Sequence, residues 1–312
     1  MKLYSASHIS SNIKDLLENE HHGTVHSVFN RVVNVVFGEQ LITVTDESVG
    51  VVPSGIRVVK GNSNGFNDGL IHQGTKVVSD SEKLIFVEDD LEIGYQNAQP
   101  ISSKQTLELI SGDQNSNSSE LILREMKKLG DELAPVEGLC PLWHYVDVIL
   151  GNDEENSMDS SSLLPMASVG LRAATIMVKG LKTGDEDVFM EGVKKLVGLG
   201  AGLTPSGDDI ITGISGAIAL LSERENIEDK MYLINMIPGI ARNATNRIAY
   251  NYIQGAVKGE ITGLLAQYIS ILTSGPISQL ENTSKSLFSI GGTSGAELAL
   301  GAFLGVTIFG LS

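Results

Sequence analysis

GLGAGLTPSGDD, residues 198–209, joins two apolar-periodic stretches, and its reading orders the rest of the chain. Upstream, Val188, Phe189, Val193, Leu196 and Val197 recur at helical spacing; downstream, residues 210–221 continue as an apolar helix. The segment is therefore a helix–loop–helix junction. Gly198 has an ordinary role one residue past a helix end. Gly200 and Gly202 do not, and such dense glycine lets a backbone adopt positive φ and lets another molecule approach its N–H groups. Thr204 precedes Pro205 and is expected to be extended. Ser206 is expected to be the N-cap of a helix starting near Gly207, with Asp209 at capping-box distance. The active or binding site is placed here.

Two known loops are excluded by spacing. Gly202 and Gly207 satisfy the first part of a P-loop, but Asp208 stands where its lysine belongs. A dinucleotide fingerprint needs glycine at Leu203 and a preceding strand. What remains is a helix N-terminus, which favours anions, beside Asp208 and Asp209, which repel them. Three resolutions stay open. The aspartates serve only the helix dipole; they hold a divalent cation such as Mg²⁺; or they accept hydrogen bonds from a ligand NH₂.

A second copy of the device lies near the C-terminus. Ser294-Gly295-Ala296-Glu297 repeats Ser206-Gly207-Asp208-Asp209, with an acid three residues after each serine and a further glycine at 213 and 301. Gly291-Gly292-Thr293 echoes the glycine-rich approach to the first copy. Gly216, Ala217, Ala302 and Gly305 would allow close helix packing. Two independent capping boxes would leave the same trace. The expectation adopted is that both helix starts converge on one pocket, with Asp208, Asp209 and Glu297 as catalytic candidates. Gly200, Gly202, Thr204, Ser206, Gly207, Thr293, Ser294 and Gly295 are then substrate-binding candidates. Arg242 and Arg247, in a polar segment of an otherwise helical run, are candidates for an anion; Asn243 and Arg247 would share a face by their spacing. Lys194 and Lys195 would complement a helix C-terminus.

All six histidines precede residue 145, so the stretch beyond it cannot build a Ser–His–Asp triad or a histidine-rich zinc site. His22 and His26 are a weak metal candidate. Chemistry by positioning and electrostatic stabilisation of an acyl or phosphoryl group remains open.

The 312 residues, 42% hydrophobic with 34 glycines, suit a folded globular protein. A net charge of −16 argues against nucleic acid and against an anionic membrane surface. The opening MKLYSASHIS lacks a signal-peptide core, and the longest apolar run, 298–311, is too short to span a bilayer. A single cysteine, Cys140, allows no internal disulfide. A cytoplasmic location is expected. Short Val/Ile/Phe-rich runs at 25–37, 40–45, 50–59, 69–78 and 83–87 read as strands parted by turns such as 61–65. Polar residues 111–119 read as a linker and 151–162 as an acidic loop. Residues 166–181, 210–221, 230–258 and 296–309 read as helices. The fold class is α+β: a β-rich domain over 1–116 and a mainly α-helical domain over 117–312.

On the GLGAGLTPSGDD block and the late Thr293-Ser294-Gly295-Ala296-Glu297 block, the chain resembles a bacterial family that includes a subunit of oxamate carbamoyltransferase from anaerobic allantoin degradation. The resemblance spans most of the chain. It implies carbamoyl transfer between carbamoyl phosphate and a small amide such as oxamate, in an enzyme built with other subunits. A Mg²⁺-dependent hydrolase or phosphoryl-handling enzyme is the alternative reading. A non-catalytic metabolite-binding or assembly subunit is a third.

Overall fold

The computed structural model describes residues 2–17, 21–47, 49–50, 52–59, 65–66, 69–102, 119–152, 163–222 and 228–309. The expected linker at 111–118, the turn residues 61–64 and the acidic stretch 153–162 lie outside the described residues. The chain forms two compact units. One is Met1–Gln105 with Glu260–Gly263; the other is Thr106–Gly259 with Leu264–Ser312.

The first unit is a closed sheet. Its strands are β1 (Lys2–Ser10), β2 (His21–Val28), β3 (Val32–Phe37), β4 (Gln40–Asp46), β5 (Gly55–Val59), β6 (Lys76–Ser79), β7 (Lys83–Phe86), β8 (Leu91–Gly94) and β9 (Gln99–Ile101). They run in the order β5-β4-β3-β2-β6-β7-β8-β1-β9, and β5 also pairs with β1, which closes a barrel. β1 makes this possible by splitting its partners. Lys2–Ser5 runs parallel to β8 and His8–Ser10 parallel to β9, while Ser5–Ile9 pairs antiparallel with β5 around a register shift between Ala6 and His8. Closure removes the exposed edges an open sheet would present. Val33, Val35, Ile42, Val44, Ile56, Val58, Val77, Leu84 and Ile93 are fully buried within it.

Hydrophobic runs located most of these strands but not their junctions. Residues 25–37, expected as one run, are a hairpin whose strands pair Thr24 with Val36 and Val28 with Val33. Polar Asn30 and Arg31 form the turn inside the run. β1 was not expected as a strand, because its sequence KLYSASHIS mixes small polar residues with few apolar ones. β2 carries His22 and His26 on its exposed alternate positions. Four residues along a strand span about 13 Å, too far for one metal ion.

The second unit is helical: α2 (Ser119–Leu133), α3 (Val146–Leu150), α4 (Pro165–Thr183), α5 (Glu186–Leu196), α6 (Ser206–Leu221), α7 (Glu228–Ala241), α8 (Arg247–Val257), α9 (Gly263–Ser274), α10 (Leu280–Phe288) and α11 (Ser294–Phe309); the four-residue α1 (Lys14–Leu17) belongs with the barrel. The molecule is thus α+β, strand-rich first and helical after. Every residue of α6 is buried, as its all-round apolar sequence requires. Trp143, in a 3₁₀ turn over Cys140–Tyr145, packs its indole against Phe288 and Phe303 and donates from Nε1 to the Ala296 carbonyl at 3.2 Å. No helix among the described residues is long and apolar enough to cross a membrane.

α6 and α11 cross at Gly213 and Gly301. A Cβ added at Gly213 would lie 2.2 Å from the Leu298 carbonyl oxygen, and one at Gly301 would lie 2.1 Å from that of Ile210. Backbone atoms cannot move aside as a side chain can, so any larger residue forces the helices apart. Gly213→Ala or Gly301→Ala should each cost about 1–3 kcal/mol, measured as a fall in denaturant midpoint. Gly239→Ala in α7, where nothing lies within 4 Å, should be neutral or slightly stabilising. Equal destabilisation at all three positions would show that helix crossing is not the constraint.

Candidate active site

The crossing brings the two helix starts together. Thr204 Oγ1 and Ser294 Oγ, one from each loop, are 2.9 Å apart. Gly138, in the segment before the Cys140 turn, completes the cluster. A Cβ there would fall 2.3 Å from Glu297 Oε1, 2.9 Å from Ser206 Oγ and 3.3 Å from Thr293 Cγ2. Asp208, Asp209 and Glu297 are 1%, 4% and 0% exposed, so all three carboxylates lie beneath the surface. Above them, Gly138, Gly200, Thr204, Thr293 and Ser294 are partly exposed, and Gly202, Gly291 and Gly292 are exposed. A layer of hydroxyls thus separates buried acids from two glycine loops open to solvent.

Each carboxylate has its own arrangement. Asp208 accepts from the Gly198 N–H at 2.9 Å and from the Thr245 hydroxyl. Glu297 accepts from the Leu139 N–H at 2.7 Å and from the Thr293 hydroxyl at 3.0 Å. The Ser294 and Thr204 hydroxyls, which share a hydrogen bond with each other, lie beside Asp209 and favour its charged form. Its Oδ2 is buried with no hydrogen-bond partner among the described residues. Burial lifts the Asp209 pKa well above the ordinary carboxylate range, with the Glu297 charge adding to the rise against its hydroxyl partners. Burial also raises Asp208, opposed by Thr245 and Gly198. Tyr252, on α8, is pushed up to about 12 by burial and then by the Asp209 charge. The Cys140 thiol is pushed up by burial and then by Glu297, which keeps it protonated and unreactive.

The loop conformation explains the glycines. Gly198 and Gly200 have φ of +73° and +121°, and a Cβ at Gly200 would lie 2.7 Å from the Ser206 nitrogen. That close approach lets the loop fold back over the start of α6.

The expected N-cap is corrected here. The cap position of α6 is Pro205, Ser206 is the first helical residue, and no side chain caps the helix. Asp209 turns instead toward Thr204 and Ser294. The first-turn N–H groups are also largely used: Gly207 donates to Leu199, and Asp208 and Asp209 to Pro205. At α11, Gly295 donates to Ile290, and Ala296 and Glu297 to Thr293. The helix starts thus offer fewer donors to an anion than their sequences promise.

The helix expected over 230–258 is broken as well. α7 ends at Ala241 and α8 begins at Arg247, because the Asn246 side chain accepts from the Ile248 and Ala249 N–H groups and caps a new helix. Asn243 and Arg247 therefore do not share a helix face. Arg242 and Arg247 are exposed at either end of the turn. The turn abuts the first glycine loop: a Cβ at Gly198 would lie 2.4 Å from the Ala244 carbonyl oxygen. Lys194 and Lys195 occupy the last turn of α5, as expected, with Lys195 paired to Glu191 at 2.5 Å.

Sequence reasoning missed Gly138, Leu139, Thr245 and Tyr252. Gly138 and Leu139 act through backbone and shape, which leave no side-chain signal. Thr245 lay inside the segment singled out for its arginines. No cluster of three or more His, Cys, Asp or Glu residues among the described residues is arranged to hold a metal ion.

Comparison with family models matches residues 196–306, both helix starts included, to the oxamate carbamoyltransferase subunit AllH. Residues 5–100 match the AllH family N-terminal domain. The chain belongs to the AllH family. No curated protein and no solved structure matches it. The first of these matches takes in both paired helix starts and ends inside α11, and the second covers most of the barrel.

The raised carboxylate pKa values make the site a source of pH-dependent instability. A folded state that binds a proton more tightly than the unfolded chain is favoured below the unfolded value, near 3.8 for Asp. That advantage is lost as pH rises through the raised folded value. Asp209→Asn removes the ionisation, so its melting temperature should exceed that of the wild type by about 3 °C at pH 8 and converge with it near pH 4. Thermal melts across that range decide it; a variant less stable than wild type at pH 8 would contradict the assigned environment.

Proposed function

We propose that this chain supplies the carbamoyl-handling site of a cytoplasmic carbamoyltransferase, which moves a carbamoyl group between carbamoyl phosphate and oxamate in allantoin degradation. Asp208, Asp209 and Glu297 are its acid–base candidates. Gly200, Gly202, Thr204, Ser206, Gly207, Thr293, Ser294 and Gly295 line the approach, with Arg242 and Arg247 toward the phosphate. The observation that carries this reading is the buried Asp209 carboxylate with an unpartnered oxygen, under two glycine loops, in the region matching the oxamate carbamoyltransferase subunit.

The chemistry suits that arrangement. The amide nitrogen of oxamate attacks the carbamoyl carbon and a C–N bond forms. The C–O bond to phosphate breaks, and its electron pair leaves with the phosphate. The nitrogen must shed one proton, and a carboxylate of raised pKa is a better acceptor than an ordinary one. In reverse, the same group returns the proton. Hydroxyls of Thr204 and Ser294 are placed to orient the reacting ends, because they already bridge the two loops. For the Mg²⁺ alternative, no group of three or more His, Cys, Asp or Glu among the described residues is arranged to hold an ion.

The family description names a subunit, so the activity is assigned to an assembly with other chains. The chain should be co-expressed with those subunits and assayed for phosphate release from carbamoyl phosphate in the presence and absence of oxamate. Oxamate-dependent release is expected, and Asp209→Asn should lower kcat by about 100-fold or more. An inactive assembly would overturn the proposed reaction, and a variant of wild-type rate would remove Asp209 from it.

A further inference from the structure

Three carboxylates crowd one site, yet their hydrogen bonding divides them. Asp208 spends one oxygen on Gly198 and the other on Thr245, tying the first glycine loop to the turn before α8. Glu297 spends one oxygen on Leu139 and the other on Thr293, tying the second helix start to the Cys140 segment. Each oxygen of both carboxylates therefore already has a protein donor. Asp209 differs: its Oδ2 has no partner among the described residues, although the residue is 96% buried. A buried acceptor left unmade is costly, on the order of 1–3 kcal/mol, and such an atom is expected to find a donor when the protein works.

We infer that Asp209 is the one carboxylate of the three that faces the ligand, and that it selects a primary-amide or carbamoyl NH₂ over an isosteric carboxylate. This rests on the carbamoyl reading above. The selection is electrostatic and acts through the ionised Asp209, so it strengthens as pH rises through that group's raised value. An NH₂ group brings a proton to Oδ2 and no charge, whereas a carboxylate brings acceptor oxygens and a negative charge toward Asp209, with Asp208 and Glu297 close behind. The Ser294 and Thr204 hydroxyls stand beside the Asp209 carboxylate on the loops of the two helix starts. The NH₂ end thus enters first, and any anionic end of the ligand stays outward at the exposed glycine loops. Orientation and specificity follow from one atom.

Oxamate and oxalate test this directly, because they differ only in one NH₂ exchanged for O⁻. Equilibrium binding to the assembled protein, by calorimetry, should show oxamate tighter than oxalate by about 10-fold or more. Asp209→Asn, which puts an NH₂ of its own in place of an oxygen, should bring that ratio to one or below. Asp209→Ser provides a second variant that removes the carboxylate without adding a donor, and it should also lose the preference. Asp208→Asn and Glu297→Gln should weaken both ligands and keep the ratio. Equal wild-type affinities, no oxamate binding, or a ratio retained in both Asp209 variants would overturn the inference. Catalytic transfer without this selectivity would sink the inference alone; selectivity without transfer would sink the proposed reaction and leave the inference standing.

Discussion

The contact on which the helical unit depends is backbone against backbone, where α6 and α11 cross without a side chain between them. Gly213 meets the Leu298 carbonyl and Gly301 meets the Ile210 carbonyl. Leu298 and Ile210 each stand four residues beyond the first residue of their helices, Ser294 and Ser206. The contact is therefore reciprocal, and exchanging the two helices reproduces it. Such a pair has its starts on one side. Each start is further seated by a glycine, Gly207 against the Leu196 carbonyl and Gly295 against that of Leu287. The distance between Thr204 and Ser294 is a consequence of these four glycines.

Placing acids at these starts sets two physical effects against each other. Burial penalises the charged form of a carboxylate, while the helix dipoles and hydrogen bonds favour it. Asp208 and Glu297 gain backbone N–H and hydroxyl donors, which is the form of compensation a buried charge requires. Asp209 gains only hydroxyls and keeps one oxygen unmet. The fold tolerates this because its core is otherwise extensive: α6 is buried along its whole length, and Trp143, Phe288 and Phe303 pack beside α11. Stability given up locally at a site is a common accompaniment of function, and here it is confined to one atom.

Much of this was legible in the chain because repetition survives translation into structure. The matched Ser-Gly-x-acid blocks announced two equivalent helix starts, and the small residues at 216, 217, 302 and 305 announced close packing, which the structure extends to Gly213 and Gly301. Short Val/Ile/Phe-rich runs located β4, β6 and β7 and hence the β-rich class. Where polar atoms act locally, the reading failed. Asn246 split a periodic helix by capping its second half, which apolar spacing does not register. Ser206 looked like a cap, but Pro205 already holds that position and the loop folds back through Gly200. Gly138 and Leu139 lie some 160 residues from Glu297, and their role rests on one backbone N–H. No residue type or spacing reports such a contact.

The two copies of the device are alike enough to show what their one difference does. Asp209 and Glu297 hold equivalent places, third after the serine, and differ by a methylene. The longer side chain of Glu297 extends to the Leu139 N–H while its other oxygen meets Thr293 on the preceding turn. The shorter Asp209 meets hydroxyls of the loops and extends no farther. Asp208, whose counterpart in the second copy is Ala296, supplies in the first copy the tie to neighbouring backbone that Glu297 supplies in the second. One copy thus divides between two aspartates what the other assigns to a single glutamate. That division is what leaves an acid free: with Asp208 holding the loop, Asp209 is released from structural duty. The missing methylene at this position thus goes with a carboxylate oxygen that no protein donor among the described residues meets.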